Sequence, residues 1–178
     1  MNCIMSLRVM YNSKSKTQIK NGDEFTLMPK TLIACFSKSG HTKRIAEFIS
    51  QTINAPIHEI TTEKKYPKSY FMTILESRRE FKSGERPVLT SEPVSDFSQY
   101  DRIIIGFPIW FFTCPMAIVS WLEQYDFAGK DIYPFCTSGS SNCVKATQKI
   151  REICKGANVH EGIRVKSIDE NMISEWLK

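Results

Sequence analysis

Three short stretches of this chain carry residue types suited to holding a ligand. The first is Ser37-Lys38-Ser39-Gly40-His41-Thr42, where three hydroxyls and a glycine stand directly ahead of a run with helical periodicity. A helix N-terminus offers unpaired backbone N–H groups and the positive end of the helix dipole, and hydroxyls add further donors. Gly40 lets the backbone approach closely, so the segment suits a phosphate. It matches neither Gly-x-Gly-x-x-Gly nor a Walker loop, which argues against a dinucleotide or a nucleoside triphosphate. A plain helix cap would need only one of these hydroxyls.

The second stretch is Phe107-Pro108-Ile109-Trp110-Phe111-Phe112-Thr113-Cys114-Pro115. Aromatic side chains gathered on a loop between two prolines are poorly explained as core filling, and they suit stacking on something flat. A hydrophobic lid, or a contact between two copies of the chain, would use the same residues. The third stretch, Thr137-Ser138-Gly139-Ser140-Ser141, is small and polar. Its backbone can run past a ring edge and donate N–H groups to it.

These loops need a frame to bring them together. From Lys30 onward, short β-rich runs alternate with stretches of helical period, the pattern of an α/β fold with a doubly wound parallel sheet. Strands are expected at Thr31 to Phe36, Pro56 to Ile60, Arg102 to Phe107, Ile132 to Thr137 and near Val159 to Val165. The run Arg102 to Phe107 is almost wholly apolar, as a central strand buried on both faces should be. Between the strands, Ile45, Phe48, Ile49 and Ile53 form one helical stripe, Pro115 to Gln124 reads as a second helix, and Val144, Ile150, Ile153 and Cys154 form a third stripe. Ser167 and Glu170 are placed to form a capping box for a last helix burying Met172, Ile173, Trp176 and Leu177.

Two regions exceed that plan. Lys64 to Tyr100 is a long connection with its own helix, on which Tyr70, Phe71, Ile74, Leu75, Arg78 and Phe81 share a face; connections of this length often act as lids. Residues 1–29 form an N-terminal extension, where Asn21-Gly22 between Ile19 and Phe25 suggests a β-hairpin.

Composition narrows the class. The chain has 178 residues, 42% hydrophobic and 24% charged, which suits one ordinary globular domain over residues 30–178 beside the extension. No apolar run approaches the roughly 20 residues that span a bilayer, and Met1 to Met10 makes a poor secretory signal, so a cytoplasmic protein without membrane contact is expected. The six cysteines lack Cys-x-x-Cys spacing and read as reduced, packed thiols with no metal site. The net charge of +5 is mild and dispersed, which speaks against nucleic acid.

Resemblance sharpens the reading. Pro108-Ile109-Trp110-Phe111, Thr113-Cys114-Pro115-Met116, Tyr125-Asp126-Phe127-Ala128-Gly129-Lys130, Pro134-Phe135-Cys136-Thr137-Ser138-Gly139 and Arg86-Pro87 together resemble a bacterial family of short flavodoxin-like proteins, and the first loop is similar to the flavodoxin phosphate loop. The resemblance runs from about Lys30 to the C-terminus. It implies a five-stranded sheet of order 2-1-3-4-5, FMN as cofactor, and redox chemistry. By position, Ser37, Lys38, Ser39, Gly40, His41 and Thr42 would hold the phosphate. Pro108, Ile109, Trp110, Phe111, Phe112 and Thr113 would flank the ring, with Trp110 or Phe111 stacking on it, and Thr137, Ser138 and Gly139 would meet its polar edge. Three residues depart from the family: His41 stands for Asn, Phe112 for Gly, and Ser140 for a second Gly. Of these, Phe112 is expected to crowd the flavin or reshape its open face.

The function implied is electron transfer, or reduction of a small acceptor such as a quinone, with a redox partner and NAD(P)H as a candidate donor. A homodimer is compatible with the aromatic loop. The competing class is a flavodoxin-like binding module that has lost FMN and uses that loop for protein contact.

Overall fold

The computed structural model describes residues 9–12, 15–20, 23–27 and 29–177. The chain divides into two compact units, Met1–Lys30 and Thr31–Lys178. In the first, β1 (Val9–Asn12), β2 (Ser15–Lys20) and β3 (Asp23–Leu27) form an antiparallel sheet in that order. Lys20 pairs with Asp23, so β2 and β3 are consecutive antiparallel neighbours. The expected turn at Asn21-Gly22 lies outside the described residues.

The second unit runs β4 (Thr31–Cys35), α1 (His41–Ile53), β5 (Ile57–Glu59), α2 (Tyr70–Ser83), β6 (Arg102–Pro108), α3 (Met116–Leu122), β7 (Asp131–Thr137), α4 (Val144–Ile153), β8 (Asn158–Val159), β9 (Ile163–Arg164) and α5 (Glu170–Trp176). Its strands are parallel in the order β5-β4-β6-β7-β8, with β9 also on β7. Counting β8 and β9 as one interrupted strand, this is the order 2-1-3-4-5 with helices on both faces. Alternation along β6 divides its apolar run: Ile103, Ile105 and Phe107 join α3 and α4 on one side, and Ile104 joins α1 and α5 on the other. Among the described residues no helix is long and apolar enough to cross a membrane.

Three local expectations are corrected. The fifth strand is broken between β8 and β9, where Gly162 lies so close to α4 that a Cβ would stand 2.3 Å from Thr147 Oγ1 and 2.7 Å from Cys143 Sγ. The last helix is capped by Asp169, whose carboxylate accepts from the Met172 N–H at 3.1 Å, rather than by a Ser167–Glu170 box. Val144 is exposed, because α4 buries Ala146, Thr147 and Ile150 instead.

The face of α2 carrying Tyr70, Phe71, Leu75 and Phe81 is exposed, and the helix buries Thr73, Ser77 and Glu80. Ile74, on that face, packs partly against the core, while the buried polar residues meet the polar lead-in to the helix. Lys64 Nζ reaches Glu76 and Glu80 at 2.6 Å each and Glu85 at 3.1 Å, and the Tyr66 hydroxyl donates to Glu80 at 3.2 Å. Burial alone would lower the Lys64 pKa, but these carboxylates outweigh it and hold the ammonium above its usual range. Burial, and then the Glu80 charge, push the Tyr66 hydroxyl up.

Candidate functional site

The three loops leave the carboxyl ends of β4, β6 and β7, where an open parallel sheet of this order changes direction. Each has a local reason for its shape. Gly40 caps α1 with φ +83°, a left-handed conformation that a side chain would strain. No side chain caps α1, so its first-turn N–H groups keep their capacity for an outside acceptor. Ser37 Oγ is buried without a hydrogen-bond partner among the described residues. Polar atoms in that state are uncommon in folded proteins and ask for a ligand or water.

The second loop is pinned at both ends. The Ile109 N–H donates to the Thr137 carbonyl at 2.9 Å, and Trp110 and Thr113 exchange backbone bonds at 3.0 and 3.1 Å. Phe111 and Phe112 lie between them with φ +46° and +67°. Both central residues of this tight turn are therefore left-handed, the region that Gly and Asn favour. A phenylalanine there stores strain on the order of 1–3 kcal/mol. A glycine at the position of Phe112, which the family resemblance implies, is the residue this backbone prefers.

Loops one and three are tied by the hydroxyls of Thr42 and Thr137, 2.9 Å apart. The Ser138 hydroxyl donates to the Ser141 carbonyl, closing the third loop on itself. Lys38 crosses to α2, donating to Thr73 Oγ1 at 2.6 Å and to the Lys68 carbonyl at 3.3 Å.

Between the loops lies a pocket of about 480 Å³, within the roughly 300–1,000 Å³ of small-molecule sites. Lys38, Ser39, Thr42, Pro108, Ile109, Trp110, Thr137, Ser138 and Gly139 line it, all of them expected from the sequence. Lys68, Tyr70 and Thr73 line it as well and were not expected; they come from the long connection, whose approach to the sheet end has no local signal. His41 is exposed and borders an adjoining space of about 460 Å³. Phe111 and Phe112 border a separate space of about 280 Å³ with Tyr70 and Ile109. Phe112 is 62% exposed and stands outside the 480 Å³ pocket, so it does not fill that space.

Trp110 also differs from expectation. It is buried, with its ring meeting Phe36 edge-on at 5.5 Å and Tyr66 at 4.7 Å. It forms a wall of the pocket, fixed from behind by the Glu80–Tyr66 contact. Phe111 turns instead toward Phe81, 5.9 Å away, and toward Arg78. The exposed ring at the pocket is Tyr70.

The thiols are buried and unpaired among the described residues, and burial pushes Cys35, Cys114 and Cys154 up to about 12. No group of His, Cys, Asp and Glu among the described residues could hold a metal ion.

A family model described as Flavodoxin matches residues 30–178. The chain belongs to the flavodoxin family. Among solved structures it is similar to a Bacteroides uniformis protein described as a flavoprotein, with 34% identity and TM-score 0.75, covering 84% of this chain and 97% of that one. A Bacteroides eggerthii protein of like description shows 28% identity and TM-score 0.76, over 84% and 96% of the two chains. A Lactobacillus acidophilus flavoprotein solved in complex with FMN shows 26% identity and TM-score 0.71, over 85% and 100%. No curated protein matches.

Proposed function

We propose that this flavodoxin-family chain binds one FMN in the 480 Å³ pocket and passes its electrons to a redox partner or to a small acceptor such as a quinone. The observation that carries this reading is the convergence of three strand-end loops on one cavity, polar at the α1 end and apolar at Trp110 and Ile109. The residues fit the group: Ser37 Oγ lacks a partner, α1 lacks a side-chain cap, and a Cβ built on Gly40 would meet nothing within 4 Å. The FMN complex of the Lactobacillus acidophilus relative supports the same assignment.

In this reading the hydroxyls of Ser37, Ser39 and Thr42 and the first N–H groups of α1 hold the phosphate. Trp110 and Ile109 supply a fixed apolar wall, and Tyr70 covers the ring from the solvent side. Backbone groups of Thr137, Ser138 and Gly139 meet the polar edge. Lys38, held by Thr73, brings a positive charge that favours negative charge on the bound ring. FMN supplies the electron chemistry when bound, and the chain supplies binding, orientation and exclusion of water.

Titrating the apoprotein with FMN and with riboflavin tests the phosphate assignment. FMN is expected to bind at least about tenfold tighter, the scale of one or two hydrogen bonds to a charged group, and Ser39→Ala to narrow that gap. Equal affinity for the two flavins contradicts it. Anaerobic reduction by NADH or NADPH followed by quinone addition then tests the acceptor.

A further inference from the structure

We propose that the groove on the outer side of the Phe111–Phe112 turn is a binding site for a small planar aromatic acid. The groove, of about 620 Å³, lies between α2 and α4 and includes Phe81, Phe112, Val144, Lys145 and Lys149. None of these five lines the pocket assigned to FMN, so this site stands independently of that reading.

Three observations specify the ligand. Phe81, Phe111 and Phe112 form a row with successive ring centroids 5.9 Å apart. Two of the three are held there by left-handed backbone, and Phe112 is 62% exposed. Strain retained to present an aromatic ring to water indicates a ring that is used. The row therefore offers faces and edges to another flat ring.

The charge around the row is positive. Arg78 Cζ lies 5.7 Å from the Phe111 ring and Lys145 Nζ 5.6 Å from the Phe112 ring, and neither has a carboxylate partner among the described residues. Lys149 approaches Glu152, the groove's one acidic residue, at 3.6 Å. Lys145 and Lys149 are one helical turn apart on α4 and reach the same groove, so an anion beside the rings meets two ammonium groups. Gln148, between them in sequence, adds an amide to the lining.

The same charges argue against a second copy as occupant. A twofold contact would press this face against a copy of itself, so the positive surface around Arg78, Lys145 and Lys149 would meet another of the same sign. A neutral apolar ligand would use the rings and leave the lysines without a role.

Calorimetric titration of the purified protein with 2-naphthoate and its neutral isostere 2-naphthamide tests the site. The acid is expected to bind at least fivefold tighter than the amide at low salt, with the difference shrinking as salt is added. Lys145→Gln combined with Lys149→Gln should abolish that preference and leave FMN content unchanged. Phe112→Gly, which relieves the left-handed strain and so should not impair folding, should weaken both ligands at least tenfold. Equal affinity for acid and amide, displacement of 2-naphthoate by FMN, or sedimentation as a dimer that Phe112→Gly dissociates would each overturn the proposal.

Discussion

Helices α1 and α2 both reach the pocket, α1 with Thr42 and α2 with Tyr70 and Thr73, yet they bury opposite kinds of residue. Helix α1 buries Ile45, Ala46 and Ile49 against the sheet, with Thr42 at its pocket end. Helix α2 buries Thr73, Ser77 and Glu80, and shows Tyr70, Phe71 and Leu75 to solvent. An apolar stripe marks the buried face only when the surface opposite is apolar, as a sheet face is. Helix α2 meets the core through Ile74 alone among its partly buried apolar residues, and elsewhere Thr73 meets backbone carbonyls and Glu80 meets Lys64, so those buried positions are polar and hydrogen-bonded. Its apolar stripe is thereby released to shape the rim of the ligand pocket and the groove beyond it.

Truncating one buried residue from each helix separates the two kinds of burial. Ile49→Ala is expected to cost about 2–5 kcal/mol in urea unfolding, as large-to-small changes in a packed core do. Glu80→Ala should cost about 2 kcal/mol, because Lys64 loses its fully buried partner but keeps Glu76 and Glu85. A smaller loss from Ile49→Ala than from Glu80→Ala would mean that α1 is not the better packed of the two.

The polar face of α2 also serves the site. The Thr73 hydroxyl accepts from Lys38 and lies 2.9 and 2.8 Å from the Pro67 and Ser69 carbonyls, donating to one of them. Thr73→Val keeps the volume and removes these bonds. It should cost about 1–2 kcal/mol of stability and, by freeing Lys38, weaken FMN severalfold in a fluorescence titration.

Acid provides a third test. The hydrogen bond from Lys64 holds the Glu76 carboxyl below its ordinary value of 4.5 in the folded chain. A depressed carboxylate adds stability above its unfolded pKa and loses it as pH falls through the folded value. The urea midpoint should therefore drop as pH is lowered below about 4.5, and Glu76→Gln should make that drop shallower. The smallest effect is expected on the outer face of α2: Phe71→Ser should change stability by no more than about 0.5 kcal/mol. A loss of several would show that the stripe is covered after all.

Much of this was legible in the sequence. Strands β4 and β6 were legible because their apolar runs are long, and the α1 stripe because it meets a sheet. Nine of the expected residues line the pocket because they sit at a strand's last residue, in the loop after it or in the first turn of the following helix, and strand ends near a switch point converge. The orientation of α2 was hidden, since it depends on a lead-in that hydrophobic periodicity does not register. The left-handed turn at Phe111 and Phe112 was not legible from residue types, since two phenylalanines are not what such a backbone favours. Burial of Trp110 follows from Tyr66, a partner more than 40 residues away in the chain, a distance at which no local pattern operates.

FMN in the cavity between the three loops is the point on which the proposed function stands. Purified protein, saturated with FMN and freed of excess, should be yellow and release one equivalent of FMN per chain on heating. A colourless preparation that takes up no added FMN would contradict the account, leaving the fold intact and the cofactor assignment wrong.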